Sequence, residues 1–260
     1  MDLGLQNKVI LVTGGARGIG RAIVEVLAGE GAIPVLVDRA ADESDAAVQA
    51  IRAAGGQAFA IAAELMRAEE CRNAVAAAVA HFGRIEGLVN NAGINDGVGL
   101  ESGDSERFLA SLRKNLLHYY EMAHFALPYL TQSRGPIVNI SSKVAETGQG
   151  GTSAYAAANG GRNALTREWA VELAPYGIRV NAVIVAECWT PMYAAWIGSL
   201  PDPDAARRRI EAKVPFAQRM TTCEEIANMV AFLLSPRSSH TTGQLIHVEG
   251  GYVHLDRAIT

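Results

Sequence analysis

The 260-residue chain predicts an α/β fold: a single domain built on a doubly wound parallel sheet of about seven strands, with helices on both faces. Three observations lead there. Short β-branched runs alternate with longer Ala-rich helical stretches through most of the length. The strand-like runs are near-continuously apolar, as strands covered on both faces must be. A glycine-rich turn follows the first of them directly. Right-handed crossovers then arrange these units as a Rossmann-like sheet.

The first strand, 8–13, runs into Thr13-Gly14-Gly15-Ala16-Arg17-Gly18-Ile19-Gly20. Gly14 allows the tight turn. Gly18 and Gly20, flanking Ile19, let the backbone approach a pyrophosphate and let the next helix pack on the strand, whose neighbouring helix start offers a positive dipole end. The second strand, 33–38, ends in Asp38, eighteen residues beyond Gly20. A carboxylate there accepts ribose hydroxyls and repels a 2′-phosphate, which favours NAD. Arg17 and Arg39 are both placed to pair with a 2′-phosphate, so NADP stays open. Asp38 as an ordinary turn or helix N-cap residue is the alternative.

The third strand, 57–63, precedes Glu64 and Leu65, and a helix is expected over 67–82. The fourth, 87–90, leads into Asn91-Ala92-Gly93 and then a helix over 106–130. The fifth, 136–141, ends before Ser142 and Lys143, with a helix over 153–175 after it. The sixth spans 178–183 and the seventh 245–248. Between them, residues 187–222 break the alternation with Trp189, Tyr193, Trp196, Pro191, Pro201 and Pro203. An excursion of that length in a compact domain is usually a lid over a site, the alternative being an insertion that covers a hydrophobic edge.

Composition removes several classes. A net charge of −4 and a pI near 5.9, with no basic block longer than Arg207-Arg208-Arg209, argue against nucleic acid as a partner. No apolar run reaches the ~18 residues of a membrane span. The first residues carry no basic and apolar export signal, and Cys71, Cys188 and Cys223, isolated and odd in number, read as free thiols of a reducing cytoplasm. The six histidines show no metal-ligand spacing, so no metal is expected. Of the 23 basic residues only four are lysines: Lys8, Lys114, Lys143 and Lys213.

Gly14, Gly18 and Gly20 after Thr13, then Asn90-Asn91-Ala92-Gly93, then Ser142 thirteen residues before Tyr155, resemble the short-chain dehydrogenase/reductase family. The resemblance covers essentially the whole chain, down to Glu249-Gly250-Gly251. Residues 89–100, 115–120, 139–143, 164–170 and 250–257 look like those of bacterial L-fucose dehydrogenases, which oxidise a pyranose at C1. The resemblance implies Tyr155 as general acid/base, Ser142 holding the reacting oxygen, and Asn115 anchoring a water in a proton relay. It implies a dinucleotide held by Gly14, Arg17, Gly18, Ile19, Gly20, Asp38, Arg39, Glu64, Leu65, Asn91, Ala92, Gly93, Tyr155, Asn159 and Thr190. Where the family commonly has Pro-Gly after the sixth strand, this chain has Val185-Ala186. A homotetramer or homodimer is also implied, with His254, Asp256 and Arg257 in a C-terminal tail that can reach a neighbouring subunit.

One departure concerns the chemistry. The family carries Tyr-x-x-x-Lys; this chain reads Tyr155-Ala156-Ala157-Ala158-Asn159. A residue four along a helix lies about 6 Å away on the same face. The lysine would donate to the ribose hydroxyls and bring a phenol, ordinarily near pKa 10, toward working pH; Asn159 can do only the first. Weakened hydride transfer, by about 10²-fold or more, and a higher pH optimum are therefore expected. Arg162, seven residues beyond Tyr155, is expected at a helix-mediated subunit contact, reach toward the ribose being the alternative.

Ligands of such sheets bind beyond the carboxyl ends of the strands. Asn95, Asp96, Ser142, Lys143, Gln149, Glu187, Trp189, Tyr193 and Trp196 fall there. Polar groups mixed with aromatics suit a sugar better than a fatty-acyl or steroid chain. As alternatives, Trp196 would be core of a lid helix, Asp96 a turn residue and Glu187 a surface charge. The chain thus reads as an NAD-dependent oxidoreductase for a small sugar, with 3-oxoacyl reduction or a non-catalytic NAD-binding role as the competing readings.

Overall fold

The computed structural model describes residues 2–255. Seven parallel strands form one sheet: β1 (Val9–Thr13), β2 (Ile33–Asp38), β3 (Phe59–Ala62), β4 (Gly87–Asn90), β5 (Ile137–Ser142), β6 (Val180–Val185) and β7 (Leu245–Val248), in the order β3-β2-β1-β4-β5-β6-β7. The chain winds outward from β1 to β3, returns to the centre at β4, and winds outward the other way. Its reversal lies between β1 and β4, paired through Ile10 with Gly87 and Val12 with Val89. A crevice at the carboxyl ends of strands is expected at such a point.

Strand periodicity sorts the core into two layers. Ile10, Val12 and Leu36 face α1 (Gly18–Gly29), α2 (Ala41–Ala53) and α9 (Cys223–Leu234), packing on Ile23, Leu27, Ile51, Ile226 and Leu233. Val9, Leu11 and Val35 face the other way, toward α3 (Ala68–Phe82), α5 (His118–Ser133) and α6 (Ser153–Glu172), with Tyr119, Met122, Leu130 and Trp169. Each of these side chains, taken out of water, contributes about 1.5–3 kcal/mol before the cost of ordering the chain.

The expected elements are present with some boundaries adjusted. β6 begins and ends two residues later than expected, and β5 extends through Ser142. The expected helix over 106–130 is three pieces: α4 (Ser105–Leu112), a π-turn at Arg113–Leu117, and α5. Periodicity misses a π-turn because the chain stays helical while one extra residue enters the turn. α6 stops at Glu172, before Pro175, which lacks the N–H a continuing helix needs. The 187–222 excursion contains α7 (Pro191–Gly198) and α8 (Pro203–Glu211). No helix among the described residues is long and apolar enough to cross a membrane.

Candidate active site

The glycine turn at the end of β1 is built so that only glycine fits. Gly14 and Gly18 have φ of +68° and +53°, and a Cβ on Gly20 would lie 2.0 Å from the Gly14 carbonyl oxygen. Thr13 Oγ1 accepts from the backbone N–H groups of Asn91 (2.9 Å) and Ala92 (3.1 Å), while Asn91 Nδ2 donates to the Thr13 carbonyl at 2.9 Å. The loops after β1 and β4 are thereby locked together across the reversal point. No side chain caps the start of α1 and its first turn carries no acidic residue, which leaves its N–H groups available to a phosphate. Ile19 packs into the first core layer, and Leu65 is buried in the second.

Asp38 accepts from the Ala16 N–H at 3.1 Å and the Ala40 N–H at 3.0 Å, joining the end of β2 to the glycine turn. Both arginines expected near the adenosine half are paired with carboxylates: Arg17 with Glu43, and Arg39 with Glu64 at 3.5 Å. Glu64 also accepts from the Met66 N–H at 3.2 Å. Thr190 caps α7 by accepting from the Tyr193 N–H at 3.1 Å and lies against Gly18, so the base of the excursion rests on the glycine turn.

Ser142 ends β5 and is half-buried, and Tyr155, also half-buried, lies in the first turn of α6, which packs against β5 and the turn after it. Asn159 is fully buried and bonded on both sides. Its Nδ2 donates to the Tyr155 carbonyl at 2.8 Å, and its Oδ1 accepts from Arg162 Nη1 at 3.0 Å. The amide expected at the ribose is turned to its own helix.

Arg162 corrects an expectation. It is 3% exposed and satisfied inside the fold, so it takes no part in a subunit contact. Side chains on a helix lean toward its N-terminus, which carries this guanidinium back past Asn159. Nε donates to the Asn115 carbonyl at 2.7 Å and Nη2 donates to the same oxygen; Nη1 also reaches the Ile140 carbonyl at 3.2 Å. The guanidinium lies 4.3 Å over the Tyr119 ring. Among the described residues no carboxylate pairs with it.

The π-turn explains the Asn115 carbonyl: widening a helix there lets that oxygen turn out of the ordinary ladder. Asn115 Oδ1 accepts from the Ile94 N–H at 2.8 Å, holding the loop after β4. A Cβ on Gly93 would come within 2.7 Å of Arg162 Nη2, so this glycine makes room for the cation. The positive charge is felt nearby. His118 is held down at about 3, by burial first and Arg162 second, and stays neutral; burial pushes the Tyr119 phenol up, while Arg162 opposes it.

Around the carboxyl ends of β5 and β6 the structure brings together Lys143, Glu187 and Tyr193. Lys143 pairs with Glu187, Tyr193 donates its hydroxyl to the same carboxylate, and the Lys143 ammonium lies 3.9 Å over the Tyr252 ring. Burial, then the Glu187 contact, pushes the Tyr193 phenol up. Tyr193 meets Trp196 edge to face at 5.3 Å, and Trp189 lies under Arg207 at 4.3 Å. Trp196 is 51% exposed and is not the core of a lid helix. Glu187, with an ion pair on a buried lysine, is no loose surface charge.

Other expected residues do not join this group. Asp96 accepts from Ser111 Oγ at 2.8 Å and pairs with Lys114 at 3.0 Å, bracing the segment after β4 against α4 and the π-turn. Asn95 accepts from the Gly97 N–H at 3.2 Å, and Gln149 is exposed. Asp256 and Arg257 lie outside the described residues. Three features had no signal in the linear pattern: the position of Tyr252, a Cys188–Cys223 contact of 3.8 Å between thiols expected to be isolated, and a grouping of Glu146, His247 and His254. Each joins residues far apart in sequence.

Comparison with known proteins finds relatives along nearly the whole chain. A family profile described as enoyl-(acyl carrier protein) reductase matches residues 14–253. The short-chain reductase protein NovJ of Streptomyces niveus is 40% identical over 95% of this chain and 94% of its own. The 3-oxoacyl-(acyl-carrier-protein) reductase FabG of Thermotoga maritima is 35% identical over 96% and 99%, and an L-fucose dehydrogenase of Bos taurus 36% over 94% and 89%. The crystal structure of Cj0485 dehydrogenase superposes with a TM-score of 0.95, at 42% identity over 100% of this chain and 99% of that one.

Proposed function

This chain belongs to the short-chain dehydrogenase/reductase family and is an NAD(P)-dependent oxidoreductase; from that premise we propose that it oxidises an aldose of the L-fucose type at C1, using NAD. The observation that carries the substrate class is the Lys143–Glu187–Tyr193 network beside Ser142, in which a buried ammonium and carboxylate present directed donors and acceptors. Such a wall rewards a ligand rich in hydroxyls and rejects an acyl chain, which would leave those groups unpaired. Trp189 and Trp196 add flat apolar faces of the kind that pack on the C–H side of a pyranose.

NAD is favoured over NADP because Asp38 stands at the end of β2 while Arg17 and Arg39 are each engaged by a carboxylate. Gly14, Gly18, Gly20 and the open start of α1 fit the pyrophosphate, with Asn91, Ala92, Gly93 and Thr190 lining the way to the sheet's crevice. When bound, the dinucleotide supplies the carbon that takes up the substrate hydride. Tyr155 accepts the proton of the anomeric hydroxyl, and Ser142 holds that oxygen in place.

Arg162 supports catalysis over a binding-only role. A buried cation without a carboxylate partner costs several kcal/mol, and its hydrogen bonds to carbonyls offset only part of that. The Arg162 guanidinium bonds the Asn159 amide, so the position where the family carries its lysine keeps a neighbouring positive charge. A binding-only paralogue is the second reading, favoured by the Asn159 amide, which is spent on the Tyr155 carbonyl. Exposed Leu109, Leu117 and Tyr120 beside Leu116 and Leu165 form an apolar groove that supports a homo-oligomer.

The test is steady-state turnover with L-fucose and other aldoses plus NAD, against NADPH oxidation with a 3-oxoacyl thioester. Aldose-dependent NAD reduction is expected. Turnover of the thioester alone, or NAD binding without turnover of either substrate, would overturn the reading.

A further inference from the structure

Glu146, His247 and His254 come from three separate segments yet bring one donor atom each within 4.8 Å of the others. Glu146 follows the short turn after β5, four residues beyond Ser142. His247 stands on β7 opposite Ile184 of β6, and His254 lies in the C-terminal segment. His247 Nε2 and Glu146 Oε2 are 3.0 Å apart, and the two imidazoles meet edge to face with centroids 4.4 Å apart. We propose that these three side chains form a binding site for a divalent transition-metal ion, zinc being the best match.

The donor chemistry selects the ion. Two imidazoles and one carboxylate are borderline nitrogen and hard oxygen ligands, which suit zinc or another late first-row ion; calcium and magnesium require mostly oxygen. Zinc bonds of about 2.0–2.1 Å in tetrahedral geometry place donors about 3.3 Å apart. The Glu146–His247 pair, at 3.0 Å, needs to open by only about 0.3 Å to reach it. The third donor closes by a movement of about 1.5 Å or less at His254, which is exposed and near the end of the described chain. Three protein ligands leave a fourth position to water, the arrangement of an open site and not of a closed structural one.

The position gives the ion a consequence. It ties the C-terminal segment, whose Tyr252 ring already covers the Lys143 ammonium, to the turn that carries Ser142 and Lys143. A bound ion therefore staples the segment over one wall of the candidate site. This inference stands on its ligand geometry and does not depend on which substrate the enzyme uses.

The experiment titrates the full chain, stripped with a chelator, with zinc chloride by calorimetry, and with cobalt(II) by visible absorption. One ion per chain is expected, with a cobalt spectrum lacking thiolate charge-transfer bands. His254→Ala, chosen because its side chain is exposed, is expected to weaken binding at least about 10-fold, as is Glu146→Gln. A Cys188→Ser/Cys223→Ser variant is expected to bind unchanged. Zinc should also raise the Tm of the wild-type chain more than that of His254→Ala. No binding to the wild type, equal binding by wild type and His254→Ala, or loss of binding in the cysteine variant would overturn the proposal.

Discussion

Arg162 Nη1 donates to Asn159 Oδ1 at 3.0 Å, so the residue standing where the family carries a lysine is held by a cation three positions further along the same helix. Asn159 brings no charge of its own, but it gives the guanidinium an acceptor, and the Asn115 and Ile140 carbonyls hold the rest. The guanidinium is buried, three positions beyond Asn159 on the same helix.

Restoring the lysine alone is therefore expected to fail. Asn159→Lys puts an ammonium roughly 4 Å from a buried guanidinium, a repulsion of about 4 kcal/mol at an effective dielectric near 20. The single variant should lose stability and gain little or no turnover. Asn159→Lys/Arg162→Leu should recover both, with a coupling of at least about 1 kcal/mol in a double-mutant cycle of Tm and kcat/KM. Additive effects would place the two residues in independent roles.

Asp38 is expected to set the cofactor preference. Asp38→Ser should raise the KM for NAD about 10-fold or more and improve use of NADP, because the repulsive carboxylate is gone and Arg17 and Arg39 lie close by. Initial rates with both dinucleotides check this; an unchanged preference would contradict it.

Glu187 is expected to act on substrate binding. Glu187→Gln leaves the buried Lys143 ammonium without its ion-pair partner and Tyr193 without a charged acceptor. The KM for the aldose should rise about 10-fold or more while the Kd for NAD stays fixed, read by steady-state kinetics and calorimetry.

Acid stability should depend on Glu225. Its hydrogen bond to Arg219 and its place in the Thr222 capping box hold its carboxyl down at about 2, against an ordinary value of 4.5. A lowered folded-state pKa stabilises above the unfolded value and loses that contribution as pH falls from about 4.5 toward about 2. Glu225→Gln should have a lower Tm than wild type at neutral pH, and the gap should close across that window. Because the pair is part-exposed, the gap should also shrink in salt.

Much of this was legible in the chain. Apolar runs such as residues 9–12 and 35–37 read as buried strands because both faces of the sheet are covered, and Gly14, Gly18 and Gly20 read as a phosphate turn because nothing larger fits. The role of Arg162 was not. Its number along α6 gave its face, but only the π-turn at 113–117, invisible to periodicity, presents the carbonyl that draws its side chain inward. Asp96 read as a pocket residue because it follows β4; its partners, Ser111 and Lys114, are set by how α4 packs. The sequence separation of Glu146 from His247 likewise hid a contact that only the closed sheet creates.

The most direct test of the account is kcat/KM for NAD reduction by L-fucose at neutral pH, compared between wild type and Arg162→Leu, with folding verified by Tm and NAD binding by calorimetry. The account predicts that the variant loses about 10²-fold or more while its Kd for NAD stays within a few-fold of the wild-type value. Rates within a few-fold of each other would contradict the claim that Arg162 supplies the charge the missing lysine does not.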